Sequence, residues 1–153
     1  MIPFGHIGIH CWTNAKERWR RFIKDAQVTL MSLRAPAPSP LMLGMDLPDN
    51  DEVLAVSQDA PGSPAKRVSH KDKLAVWVKE LEGGSKAVGL FNRNETNATV
   101  ELNWGDAGLI RKQALRDLWQ GKDFGVVAGN FLPLVPAHGA VLLRVAPNKA
   151  AKR

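Results

Sequence analysis

Near Gly62 the hydrophobic period of this 153-residue chain changes. Ahead of that point, apolar residues recur at about the 3.6-residue spacing of a helix; behind it they recur at every second position, the spacing of a half-buried strand. The first part is expected to form a helix from about Phe22 to Arg34, with Phe22, Ala26, Thr29, Leu30 and Leu33 on one stripe. Pro36, Pro38 and Pro40 stop it, because each removes a backbone donor and pushes its predecessor toward extended geometry. Leu41 to Met45 reads as a buried strand and Asp46 to Asp51 as a turn-rich loop. Glu52 to Val56 is a short apolar segment, strand or helix. Helix, buried strand and acidic loop in that order resemble one turn of a β/α architecture.

Beyond Gly62, Leu74–Leu81 and Lys86–Phe91 form two apolar runs joined by Glu82-Gly83-Gly84-Ser85, a hairpin turn with glycines where positive φ is needed. Between Ala98 and Trp104 the alternation is clean, with Ala98, Val100, Leu102 and Trp104 inward and Thr99, Glu101 and Asn103 outward. Further strands are expected at Gln113–Trp119, Gly125–Ala128, Phe131–Val135 and Ala140–Val145. Short strands separated by Gly, Pro, Asn and Asp turns describe an antiparallel Greek-key sandwich over residues 63–148, followed by a frayed basic tail at 149–153.

The composition, 44% hydrophobic and 24% charged, is that of a folded protein rather than a disordered or collagen-like one. A single cysteine excludes an internal disulfide framework and a Cys-rich zinc module. No apolar run approaches the roughly 20 residues of a membrane helix, so no membrane partner is expected. The start, Met1 to His6, lacks the basic and apolar regions of a signal peptide, which points to the cytoplasm for the chain as written.

A net charge of +6 invites a nucleic-acid partner, but its distribution argues against one. Residues 1–34 hold six basic side chains against two acidic ones, and the tail adds Lys149, Lys152 and Arg153. Everything between carries twelve basic against thirteen acidic side chains, close to neutral. A nucleic-acid reader shows a basic stripe across its folded body instead.

Several segments resemble one family in the right order. Ser39-Pro40-Leu41-Met42-Leu43-Gly44-Met45-Asp46-Leu47, Glu52 to Asp59, and Ala87-Val88-Gly89-Leu90-Phe91-Asn92-Arg93 are similar to the carboxyl-terminal part of α-galactosidases of glycoside hydrolase family twenty-seven. Arg116-Asp117-Leu118-Trp119 with Lys122-Asp123, and Val135 to Arg144, continue the match. The resemblance implies a (β/α)8 barrel end over residues 1–62 and a β-sandwich after it. It also implies retaining hydrolysis of terminal α-linked galactose by two aspartates roughly 5 Å apart. Both lie on middle barrel strands, ahead of the segments that match, so no catalytic residue is carried over to this chain. Met1 corresponds to the rim of the galactose pocket. A full-length relative could be secreted or periplasmic. The family's pattern is broken at Arg34, where a Trp is usual, at Pro36 and Pro38, and between Glu52 and Val53, where a helical insertion of about ten residues is absent, about three turns.

Other constellations are weaker. Asp46 and Asp59 could project at a barrel's catalytic face, but with Asp49 and Asp51 they read as caps and turn residues. His6, His10 and Cys11 fall short of the four ligands of a structural zinc site, and His70 and His138 are remote, so no metal or other cofactor is expected. Trp77 and Trp104 read as core, leaving Trp119 as the candidate sugar platform. Asn94-Glu95-Thr96 and Asn97-Ala98-Thr99 match the glycosylation acceptor pattern, yet suit an exposed turn equally well. Two functions are thus expected of the chain: an α-galactosidase fragment that is inactive alone, or a non-catalytic carbohydrate-associated sandwich. Galactosides would bind only if another chain completed the barrel. A helix and strand without barrel neighbours are expected to be protease-sensitive and to drive self-association.

Overall fold

The computed structural model describes residues 6–7, 18–19, 24–34, 51–59 and 63–147, the first two pairs by their backbone alone. Strand β1 (His6–Ile7) pairs antiparallel with β2 (Arg18–Trp19). Helix α1 (Lys24–Arg34) and helix α2 (Asp51–Ser57) come next. The expected strand Leu41–Met45 lies outside the described residues. The ambiguous segment at Glu52 is helical, opened by Asp51 and Glu52 in its first turn, where acids complement the helix dipole.

An antiparallel sheet of six strands follows, in the order β3 (Lys66–Lys71), β4 (Leu74–Glu80), β5 (Lys86–Asn92), β10 (Ala140–Pro147), β7 (Gln113–Asp117) and β8 (Lys122–Val127). Strand β10 returns to lie between β5 and β7, so the sheet is crossed in the Greek-key manner. Over it lies a narrow second layer, β6 (Ala98–Thr99) paired with β9 (Leu134–Val135) and extended by a bridge between Leu102 and Phe131. Gly83 and Gly84 take positive φ in the β4–β5 turn, as their sequence position requires.

The main core fills the space between the layers. Val76, Val78, Val88, Leu90, Leu143 and Val145 from the large sheet meet Val100, Leu102 and Val135 from the small one. Trp104 is buried with them, and its Nε1 donates to the Arg111 carbonyl at 3.0 Å. Thr99 and Glu101 are exposed, as the alternation demands.

The other face of the large sheet is covered too. Met31 of α1 and Val53 and Val56 of α2 pack with Leu81, Ala87, Leu118 and Leu142 in a second core. Burial on both faces explains why β4 and β5 are apolar almost throughout. It also limits the exposure expected of a helix without barrel neighbours. Met31 and Ser32 are fully buried against the sheet, Ala26 and Leu30 are half-buried, and within the expected stripe Leu33 is the exposed member. Phe22 lies outside the described residues.

Strand β3 has no counterpart in the periodicity. It is an edge strand with the burial of a surface ribbon, and Lys66, Arg67 and Lys71 carry charge where an inner strand would carry apolar groups. Charged edges of this kind resist strand-to-strand aggregation. None of the described helices is long and apolar enough to cross a membrane.

Candidate functional site

Polar side chains gather where the two helices meet the outer face of the large sheet. Glu52 at the start of α2 receives two hydrogen bonds from Arg116 of β7, Nε to Oε2 at 2.8 Å and Nη2 to Oε1 at 2.7 Å. Arg116 also pairs with Asp123 of β8 at 3.0 Å. At the other end of α2, Lys79 of β4 is almost wholly buried and donates from Nζ to the Val56 carbonyl at 2.7 Å. An ammonium there meets the negative end of the helix dipole. Asp59, just past α2, accepts the Glu82 backbone N–H on both carboxylate oxygens at 3.1 and 3.2 Å. Helix α1 is tied by Trp119 Nε1 to Ser32 Oγ at 2.8 Å and by Thr29 Oγ1 to the His138 carbonyl at 2.8 Å.

A cavity of about 240 Å³ lies in this seam, with Val56, Leu81 and Leu118 beneath and Asp51, Asp59 and Arg144 around it. Two of its acids are already committed. Glu52 holds Arg116, and Asp59 holds a backbone turn, so neither is set apart as a raised-pKa acid beside an ionised partner, as glycoside cleavage needs. The hydrogen bonds from Arg116 hold the Glu52 carboxyl below the usual carboxylate range, the reverse of what a general acid requires. Asp51 stands in the first turn of α2, and Asp59 serves as a turn residue through its bonds to the Glu82 N–H. Asp46, Asp49, Met1, His10 and Cys11 lie outside the described residues, and of His6 only the backbone is described. Among the described residues no three of His, Cys, Asp and Glu are placed to share a metal ion.

The remaining candidates have structural employment. Trp119 is half-buried against the second core with its Nε1 bound to Ser32, so its ring braces α1 instead of standing free as a sugar platform. Arg67 lies 6.0 Å over the ring of Trp77. His70 meets Arg93 at 3.2 Å, and His138 Nε2 meets Glu95 at 2.8 Å. Asn97 is exposed, and its Oδ1 accepts the Ala137 N–H at 3.0 Å. Asn92, within the recognised run ending in Arg93, donates to the carbonyls of Thr96, Val135 and Pro136 and so fixes the loop behind β5. Asp117 is buried and accepts the N–H groups of Trp119 and Gln120, closing the β7–β8 turn.

The Glu52–Arg116 pair predicts a pH dependence. Because the carboxyl of Glu52 is lowered in the folded state, its stabilising contribution is present above the ordinary carboxylate range and is lost as pH falls through the lowered value. Between about pH 6 and about pH 3, Glu52→Gln should therefore lose less stability than the parent chain. Both side chains are more than a third exposed, so the effect is modest. Urea midpoints for the two proteins at both pH values check it, and parallel losses would refute it.

Residues 71–145 match the family described as the alpha galactosidase C-terminal beta sandwich domain. The α-galactosidase of Cyamopsis tetragonoloba is 33% identical over 128 residues, covering 76% of this chain and 31% of that protein. That of Coffea arabica is 34% identical over 128 residues, covering 76% and 34%. Among solved structures, the family-27 β-L-arabinopyranosidase of Geobacillus stearothermophilus superposes with a TM-score of 0.83 at 30% identity, covering 99% of this chain and 37% of that one. Alpha-galactosidase I of Mortierella vinacea gives 0.75 at 28% identity, covering 81% and 36%. The chain spans about a third of the length of these relatives. Its sandwich belongs to the alpha galactosidase C-terminal β-sandwich family, and the chain corresponds to the carboxyl-terminal part of a family-twenty-seven glycoside hydrolase.

Proposed function

We propose that this chain is the supporting, carboxyl-terminal part of a retaining hydrolase of terminal α-linked galactose, and that it does not catalyse the reaction alone. Residues 1–62 then supply closing elements of the barrel, and residues 63–148 the sandwich that braces them. The observation that carries this reading is the seam. Helices α1 and α2 bury their apolar sides on the sandwich, and buried or bidentate polar groups hold them there. A seam of that construction fixes barrel helices without exposing an acid/base pair. A full catalytic unit would then require the family's two aspartates from upstream barrel strands, whether in one polypeptide or in a partner chain.

Two assays test the reading. The 153-residue chain alone should give no release from aryl α-galactosides or aryl β-L-arabinopyranosides above a heat-treated control. Turnover that vanishes in Asp59→Asn would overturn the claim of inactivity. In the second assay, this chain replaces the matching third of the Geobacillus arabinopyranosidase. The chimera should fold and cleave that enzyme's own substrate, since 99% of this chain superposes on that enzyme with a TM-score of 0.83. A folded chimera without activity would favour a free-standing carbohydrate-associated sandwich.

A further inference from the structure

The second layer of the sandwich is narrower than the sheet beneath it, and the mismatch leaves a groove. It lies between the β3–β4 end of the large sheet and the outer edge of β6 with the loop beyond, and it holds about 350 Å³. Its floor is apolar, from the side chains of Leu74, Val76 and Val100. One wall carries Ser69, Lys71 and Asp72, and the other Thr99, Glu101, Asn103 and Asp106. Toward other described residues, the side chains of Ser69, Lys71, Asp72, Thr99 and Asp106 form no hydrogen bond or ion pair. Glu101 spends one carboxylate oxygen on Asn130, and Asn103 accepts the Gly105 and Asp106 N–H groups on its Oδ1, which leaves its NH₂ without a partner among the described residues.

We infer that this groove binds a neutral pyranose sugar, an inference independent of the hydrolase reading above. The donor set decides the ligand class. Carboxylates on both walls accept pairs of hydroxyls, the ammonium of Lys71 and the amide of Asn103 donate, and the hydroxyls of Ser69 and Thr99 do both. A strip of apolar floor suits the C–H face of a sugar ring, and the volume is at the small-ligand end of binding pockets, about 300 Å³ upward. A single cation fits poorly, since the three carboxylates are not gathered within reach of one ion. Aromatic side chains are missing from the lining residues named above, so stacking is weak and affinity is expected in the millimolar range.

Amide chemical shifts of the isotope-labelled full chain, titrated with methyl α-galactopyranoside, test the inference. Saturable shifts are expected at Ser69, Lys71, Thr99, Glu101 and Asp106. Glu101→Gln and Asp106→Asn should each weaken binding about tenfold. Thr99→Val, which keeps the side-chain shape on an exposed strand position, guards against a variant that fails to fold and should weaken binding in the same direction. The inference is overturned if these amides do not move, if glycerol moves them equally, or if they move unchanged in all three variants. Tighter, saturable shifts with calcium chloride at the same residues would replace the sugar by a cation.

Discussion

Cut back to residues 63–153, the chain should lose most of its stability. Met31, Val53 and Val56 are almost wholly buried on the outer face of the sheet. Fully burying a side chain of that size contributes about 1.5–3 kcal/mol, so the three together supply roughly 4.5–9 kcal/mol as an upper estimate. That is comparable with the whole stability of an ordinary domain, about 5–15 kcal/mol. The cut also strips Lys79 and Arg116 of their partners on α2 and exposes Leu118 and Leu142. Urea unfolding of the two proteins measures the effect, and the shorter one is expected to unfold at much lower denaturant or to aggregate. Limited proteolysis of the full chain gives the converse, with α1 and α2 protected as long as the sandwich stands. Equal midpoints, or early loss of both helices, would show that the second core contributes little.

This expectation reverses what periodicity alone suggested, and the reason lies in particular residues. The change of period at Gly62 marks where helices give way to strands, and the helix ending at Arg34, the β4–β5 turn and the inward set Val100, Leu102 and Trp104 all follow from spacing. Packing is another matter. Helix α1 sets Met31, which the expected stripe leaves out, deepest against the sheet, with Leu30 of the stripe packed beside it, because the sheet offers a second apolar face that single-strand alternation does not reveal. Strand β3 is invisible to a period count, since an edge needs one partner and no buried side. The polar seam was half legible. Arg116 and Asp117 stand inside a recognisable motif, but the partnership of Arg116 with Glu52, 64 residues away, depends on how the sheet is crossed. The groove was illegible for the same reason: its walls come from β3, β4 and the segment after β6, which meet through topology alone.

Lys79 is the residue whose role sequence reasoning would least foresee, and its replacements should separate packing from charge. It shares the outward face of β4 with Ala75 and Trp77, where alternation would place it in water. Helix α2 covers it instead, leaving it 2% exposed with its ammonium on the Val56 carbonyl. In Lys79→Ala the carbonyl loses its donor and four side-chain atoms of packing disappear. An unsatisfied buried carbonyl costs about 1–3 kcal/mol, and truncating a long buried side chain about 2 kcal/mol or more, so the loss should reach about 3–4 kcal/mol. Lys79→Met also leaves that carbonyl without its donor, but it keeps nearly the same volume and removes the cost of burying a charge, which offsets the lost bond, so its loss should be only about 1 kcal/mol. Urea denaturation ranks the three proteins. If methionine proves as damaging as alanine, the charge on the helix end outweighs the packing. If both are tolerated, α2 is not held by this lysine, and the seam depends on its apolar residues and on Glu52 with Arg116.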